Sequence, residues 1–242
     1  MAAACALFGS NAFAYFDFVP TPFEIASWPT YCRVQYSTIN DGLDYDAPKF
    51  SAAEVARWRD IIGTRTFDGL HHYCASIQYL RRAELEPDLQ KQRFLLGRAW
   101  DDGMYSFTRA DPQSSVYPNM VATIARIRAQ MGHEDEAIDI LEKGIKVQPT
   151  RPEAYIQLAL IQRKHHKLKE ALATLESADA ATRGGSADVQ YDLGLINLEI
   201  GDIDAAVQNA RRAYGLGYPL PGLKWKLQKM KRWDSSVAAT TR

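Results

Sequence analysis

The chain repeats itself. Three segments, PNMVATIARIRAQMGHEDEAIDILEKGIKVQP, PEAYIQLALIQRKHHKLKEALATLESADAAT and ADVQYDLGLINLEIGDIDAAVQNARRAYGLG, begin at Pro118, Pro152 and Ala187, 34 and then 35 residues apart. A unit of that length holds two helices and a turn but cannot bury the apolar face of either alone. Such units must stack and share a core across their seams. Apolar residues inside each unit recur at helical spacing, and strand patterns are absent after residue 50, so the predicted class is all-α.

Small and large residues fall in register across the copies. The first carries Val121, Ile124, Ala125, Gly132, Ala137, Leu141, Gly144 and Pro149. The second carries Tyr155, Leu158, Ala159, Ala171, Leu175 and Ala178, and the third Leu193, Gly194, Gly201, Ala206, Ala210 and Ala213. In these positions residues 118–219 resemble the tetratricopeptide repeat family. Arg128 and Gln162 depart from it where an aromatic is usual, and the second copy lacks its closing proline.

The resemblance implies an α-solenoid of three repeats whose first helices line a concave groove. Carried over by position, the groove residues are Asn119, Ala122, Thr123, Arg126 and Gln130, then Ile156, Gln157, Leu160, Arg163 and Lys164, then Tyr191, Asp192, Leu195 and Glu199. Such a groove takes an extended peptide or a helix of a protein partner. Family members that bind chaperone tails clamp a carboxylate with a Lys/Asn/Lys/Arg set. Ala122 and Arg126 break that set, so a chaperone-tail receptor is not expected.

The resemblance also implies the kind of work. Exported bacterial members often assist the assembly of pili, secretion machines or polysaccharide-export complexes. The expectation is a non-enzymatic scaffold without cofactor, in the periplasm or at the cell surface. The alternative is a self-assembling subunit of a surface filament, joined through its two ends.

Ahead of the repeats, residues 15–50 form an arm rich in aromatics and proline. Pro20, Pro22 and Pro29 forbid one continuous helix there, although Pro29 suits the start of a short one carrying Tyr31, Cys32 and Tyr36. So much aromatic surface is expected to lie on the helical body. Residues 51–112 read as helical. Ser51 and Glu54 make a capping box, Val55, Trp58 and Ile61 or Ile62 a stripe, and Gly63 a stop. Helices over about 68–84 and 88–109, the second carrying Phe94, Leu95, Ala99, Tyr105 and Phe107, resemble a degenerate fourth repeat. Residues 221–233 are expected to cap the last repeat through Leu223, Leu227 and Met230, with 234–242 as a mobile tail.

One constellation suggests chemistry: His71-His72-x-Cys74, in a chain of five histidines and three cysteines. On a helix His71 flanks the buried face and His72 points the opposite way. Zinc needs three or four converging ligands, so no metal site is predicted. A Cys74–His71 nucleophile pair has no identifiable third partner, and stands as the lesser, enzymatic reading. The favoured reading is a Cys32–Cys74 disulfide pinning the arm to the helix. It agrees with an export leader over residues 1–14, since Ala12-Phe13-Ala14 fits the cleavage rule and removal of Cys5 leaves an even pair.

Twenty-nine basic and 29 acidic residues leave no net field for nucleic acid. No apolar run reaches the length of a membrane span.

Overall fold

The computed structural model describes residues 18–39 and 49–233, and all secondary structure among them is helical. The leader at 1–14 and the tail at 234–242 lie outside the described residues. Two short helices open the fold, α1 (Pro22–Ser27) and α2 (Thr30–Ser37), followed by α3 (Ala52–Ile62) and α4 (Thr64–Asp68). Antiparallel pairs then follow: α5 (Leu70–Leu85) with α6 (Leu89–Phe107), α7 (Tyr117–Gln130) with α8 (Glu134–Val147), α9 (Glu153–Lys164) with α10 (Leu168–Ala181), and α11 (Ala187–Ile200) with α12 (Ile203–Gly215). A short α13 (Gly222–Lys229) closes the row.

Local sequence explains the boundaries. Ser51 Oγ accepts the Glu54 N–H while Glu54 accepts the Ser51 N–H, and Thr21 and Glu24 repeat the arrangement at α1. Asp88, Ser186 and Asp202 cap α6, α11 and α12 through their side chains. Gly132 and Gly201 take φ of 89° and 90° at the turns inside the first and third repeats. His166 occupies the equivalent turn of the second with φ 58°, a left-handed conformation that costs a side chain about 1 kcal/mol or more.

The first helix of every pair buries two faces, which is how the units share a core. Met120, Ile124 and Ile127 of α7 pack back onto α5 and α6, while Val121 and Ala125 pack forward with Leu141, Leu158 and Ile161. Ala159 of α9 joins Leu175, Ala178, Leu193 and Ile196, and the far side of α11 meets Leu223 and Leu227. Close approach needs small residues. A Cβ on Gly144 would fall 2.4 Å from Val121 Cγ1, so α7 and α8 cross at this spacing because that atom is missing.

Two of the three departures from the family pattern, Arg128 and Gln162, have structural causes. Arg128 lies 4.7 Å over the Trp100 ring and forks onto Glu136, so its planar cation does the packing expected of an aromatic. Gln162 accepts a hydrogen bond from Thr174 on its partner helix.

The described part of the arm, residues 18–39, carries α1 and α2 and belongs to the core. Phe18, Ile25, Trp28, Val34 and Tyr36 are buried in one cluster with Leu70, Tyr73, Tyr79 and Leu80. Each such side chain contributes roughly 1.5 to 3 kcal/mol. Cys32 and Cys74 are joined by a disulfide with Cα atoms 5.7 Å apart. Polar links run beside it. Arg82 donates to both Glu24 oxygens at 2.7 Å, Gln78 donates to Glu24, and Arg81 donates to Ser27.

Two sequence-based details need correction, the helix start at residue 68 and the part of Met230 in the cap, and two that were left open are settled. The helix predicted from residue 68 is split, because Gly69 separates α4 from α5. Of the two isoleucines left open, Ile62 is buried and Ile61 exposed. Phe94 and Tyr105 stand out of α6 into solvent, because the pairing of α5 with α6 uses Ser76, Ala99 and Gly103. Met230 lies past the end of α13 and is exposed, so Leu223 and Leu227, with Trp233 packed on the same cluster, cap the last repeat.

The Glu24–Arg82 link makes arm docking acid-sensitive. Burial would raise the Glu24 pKa, but hydrogen bonds from Arg82 and Thr21 and the guanidinium charge bring it from the usual 4.5 down to about 2. The fold prefers the carboxylate, so its contribution is complete above pH 4.5 and lost as pH falls toward 2. His71 acts over a higher window. Burial and the neighbouring His72 lower it from 6.5 to about 4, so stability falls as pH drops from 6.5 to 4. Protease sensitivity of the arm is expected to rise in these two steps, and Glu24→Gln is expected to remove the lower one. A flat profile between pH 7 and 3 would contradict both assignments.

Candidate protein-binding face

The sequence placed His71 and His72 on diverging sides of a helix. The structure brings their rings to 4.4 Å, and His72 stacks on Tyr105 at 4.1 Å. His72 is not a surface residue: its Nδ1 lies 2.6 Å from Asp102 Oδ1 across the α5–α6 crossing. That pair is absent from the sequence reading because its members are 30 residues apart and meet only through helix pairing. His71 Nδ1 accepts from Gln35 of the arm at 3.3 Å. With Cys74 in a disulfide there is no thiolate at this position for either histidine to activate. Among the described residues, no three His, Cys, Asp or Glu side chains gather as a metal site would require.

The carried-over groove residues fall into three groups. Arg126, Gln130, Gln157, Leu160 and Lys164 surround an open depression of about 300 Å³ where α7 meets α9. Leu160, Arg163, Lys164 and Glu199 line an adjoining one of about 630 Å³ between α9 and α11. Leu160 is 39% exposed and belongs to both. Ile156, Tyr191 and Leu195 pack into the seams beside it, and Tyr191 stacks on Tyr218 at 3.9 Å. Asn119 is half-buried, and Thr123 shares a 3.0 Å hydrogen bond with the Tyr73 hydroxyl. Tyr73 is in turn bonded to Tyr31 of the arm, whose pKa burial pushes up to about 12. The arm thus reaches the N-terminal end of this face.

The charges of this face were expected to meet a partner; most meet each other. Arg126 and Gln130 pair with Glu84, Lys164 and His165 with Glu134, and Arg163 with Glu199. Each bridge joins helices of different pairs, forming a ladder from α5 to α11. Pairing holds the Glu134 carboxyl below its usual range through Lys164 first and His165 second. Glu84, Glu134 and His166 were missed by sequence reasoning. Glu84 precedes the clear repeats, Glu134 starts a second helix, and His166 sits in a turn, so no rule about first helices reaches them.

Asp192 is the exception. Among the described residues it makes no hydrogen bond or ion pair, and burial, with Asp188 one turn away, raises its pKa from 3.8 to about 6 against the opposing pull of Arg163. A raised carboxyl costs stability as pH climbs through that interval, and the cost is complete above 6. Asp192→Asn is therefore expected to stabilise the fold at pH 7 by on the order of 1 to 2 kcal/mol, with no gain below pH 4. Denaturant titrations at the two pH values check this.

No helix among the described residues is long and apolar enough to cross a membrane. Residues 119–151 match the sequence profile of the family described as tetratricopeptide repeat. No curated protein matches the chain. Among solved structures it is similar to YrrB, a TPR protein with an unusual peptide-binding site, at 14% identity over 81% of this chain and 90% of that one, with a TM-score of 0.44. It is also similar to a point mutant of MamA at 14% identity, over 77% of this chain and 95% of that one, with a TM-score of 0.38. The profile spans the pair α7–α8, and the same helix pairing recurs as α9–α10 and α11–α12: the chain carries a tetratricopeptide repeat at residues 119–151, within a row of helix pairs of the same pattern.

Proposed function

We propose that the protein is a non-enzymatic scaffold that holds a segment of another protein along the first helices of its repeats. It works in the bacterial envelope, in the periplasm or at the cell surface, in the assembly of pili or secretion machinery. The observation that carries the binding assignment is Leu160. This leucine stands exposed at the meeting of two depressions, rimmed by cations whose charges neighbouring glutamates already balance. A face with an apolar centre and neutralised edges suits a peptide or helix of mixed charge better than a polyanion. Export is supported by the leader reading and by a disulfide, which persists in oxidising compartments.

Leu160→Ser tests the binding assignment without adding or removing a charge in the ion-pair ladder, whose members Arg163 and Lys164 lie one turn away. Pull-down from envelope extracts is expected to recover a stoichiometric protein with the parent chain and lose it with the variant, at unchanged thermal stability. Equal recovery by both would remove the assignment. Charge reversal at Arg126 or Arg163 is less informative, because it also breaks inter-repeat bridges.

One observation favours self-association as a second reading. Leu85, Leu89 and Phe94 are exposed at the N-terminal end of the row, with Leu85 and Phe94 lining a depression of about 560 Å³. End faces are the natural stacking surfaces of repeat proteins. Sedimentation of the full chain is expected to show concentration-dependent assembly that Phe94→Asp abolishes; a monomer at high concentration would end this reading.

A further inference from the structure

Helix α13 has an outer face that closing the solenoid does not explain. Leu223 and Leu227 point inward and are buried, while Trp225, Lys226 and Lys229 point outward, with the indole 60% exposed. Residues 221–233 hold four lysines and one arginine and no Asp or Glu, in a chain whose 29 basic and 29 acidic residues balance only as a whole. Elsewhere about half of the described lysines and arginines have a carboxylate partner, Arg126, Arg163 and Lys164 among them. Here only Arg232 has one, Asp204; among the described residues Lys226, Lys229 and Lys231 have no carboxylate partner.

We infer that this end of the solenoid rests on an anionic lipid surface, with Trp225 entering the headgroup layer and Lys226 and Lys229 pairing with lipid phosphates. The chemistry matches on both counts. An indole carries a large apolar body with one polar N–H, which suits the boundary between headgroups and acyl chains. Lysine stems are long enough to lie along apolar surface while their ammonium groups stay at phosphate level. The helix closes the row of pairs with Trp225, Lys226 and Lys229 exposed, so a flat bilayer meets that face without any cavity. An acidic protein would neutralise the lysines but would need a pocket of its own for the indole. The inference rests on α13 alone and is independent of the concave face.

The test is co-sedimentation of the full chain with vesicles of phosphatidylglycerol and phosphatidylcholine, and with vesicles of phosphatidylcholine alone. Binding is expected only to the first, and to fall steeply as salt is added. Lys226→Glu with Lys229→Glu is expected to weaken it by more than about tenfold, since each lysine near an anionic surface is worth roughly fivefold. Trp225→Ala is expected to weaken binding to both low- and high-salt vesicles while leaving the helical circular dichroism of the chain unchanged. Equal binding to both vesicle types, or no loss in the double lysine variant, would overturn the inference. So would soluble polyglutamate holding the chain as tightly as the anionic vesicles do, because that outcome assigns the face to an acidic protein.

Discussion

Replacing Cys32 and Cys74 together by serine is expected to cost roughly 3 to 4 kcal/mol and to lower the melting temperature by about 10 °C. The bond joins residues 42 apart, so it removes a large loop-closure entropy from the unfolded chain. Both sulfurs are fully buried between Trp28, Tyr36, Leu70 and Tyr73, and the native packing supplies no compensation once the bond is gone. Reductant should bring the parent chain to the variant's melting temperature and leave the variant unmoved. The repeats beyond α7 draw on separate clusters, and should keep their helical signal when the arm loosens. A double variant that melts with the parent would show that buried side chains alone hold the arm in place.

Leu141→Ala is the second large effect, expected to cost about 2 to 5 kcal/mol. Leu141 is fully buried in α8 and fills the seam between α7 and α9 with Val121, Leu158 and Ile161. Gly144, one turn along, already brings α7 too close for the helices to collapse further into the space left. A cavity is therefore expected to persist. Because the seam is shared, the loss should uncouple the first repeat from the second, seen as a broadened or two-step denaturant transition. A cost under 1 kcal/mol with an unbroadened transition would mean that the seam is not a common core.

The repeats were legible because their signal is redundant. A small residue at Ala125, Ala159 and Gly194, or a glycine at Gly132 and Gly201, means little once and much when it recurs in register. Capping at Ser51 and Glu54 was legible for a local reason: both partners lie within one turn. The histidine pair was misread because a helical wheel records direction and nothing about what arrives from another helix. Asp102 and Tyr105 of α6 draw His72 inward, and Gln35 of the arm holds His71.

The charge pattern of the proposed binding face was half legible for the same reason. Position in the repeat placed Arg126, Arg163 and Lys164 on one surface, yet their partners Glu84, Glu199 and Glu134 come from other helix pairs. Periodicity reports which residues share a surface. It does not report which of their charges are already neutralised.

Hydrogen exchange of the full chain, alone and with the protein it captures, tests the binding face most directly. The account predicts slowed exchange along α7, α9 and α11, centred on the turn that holds Leu160, with α8, α10 and α12 unchanged. Slowing confined to those second helices, or to α13, would place the captured protein on another surface and contradict the account.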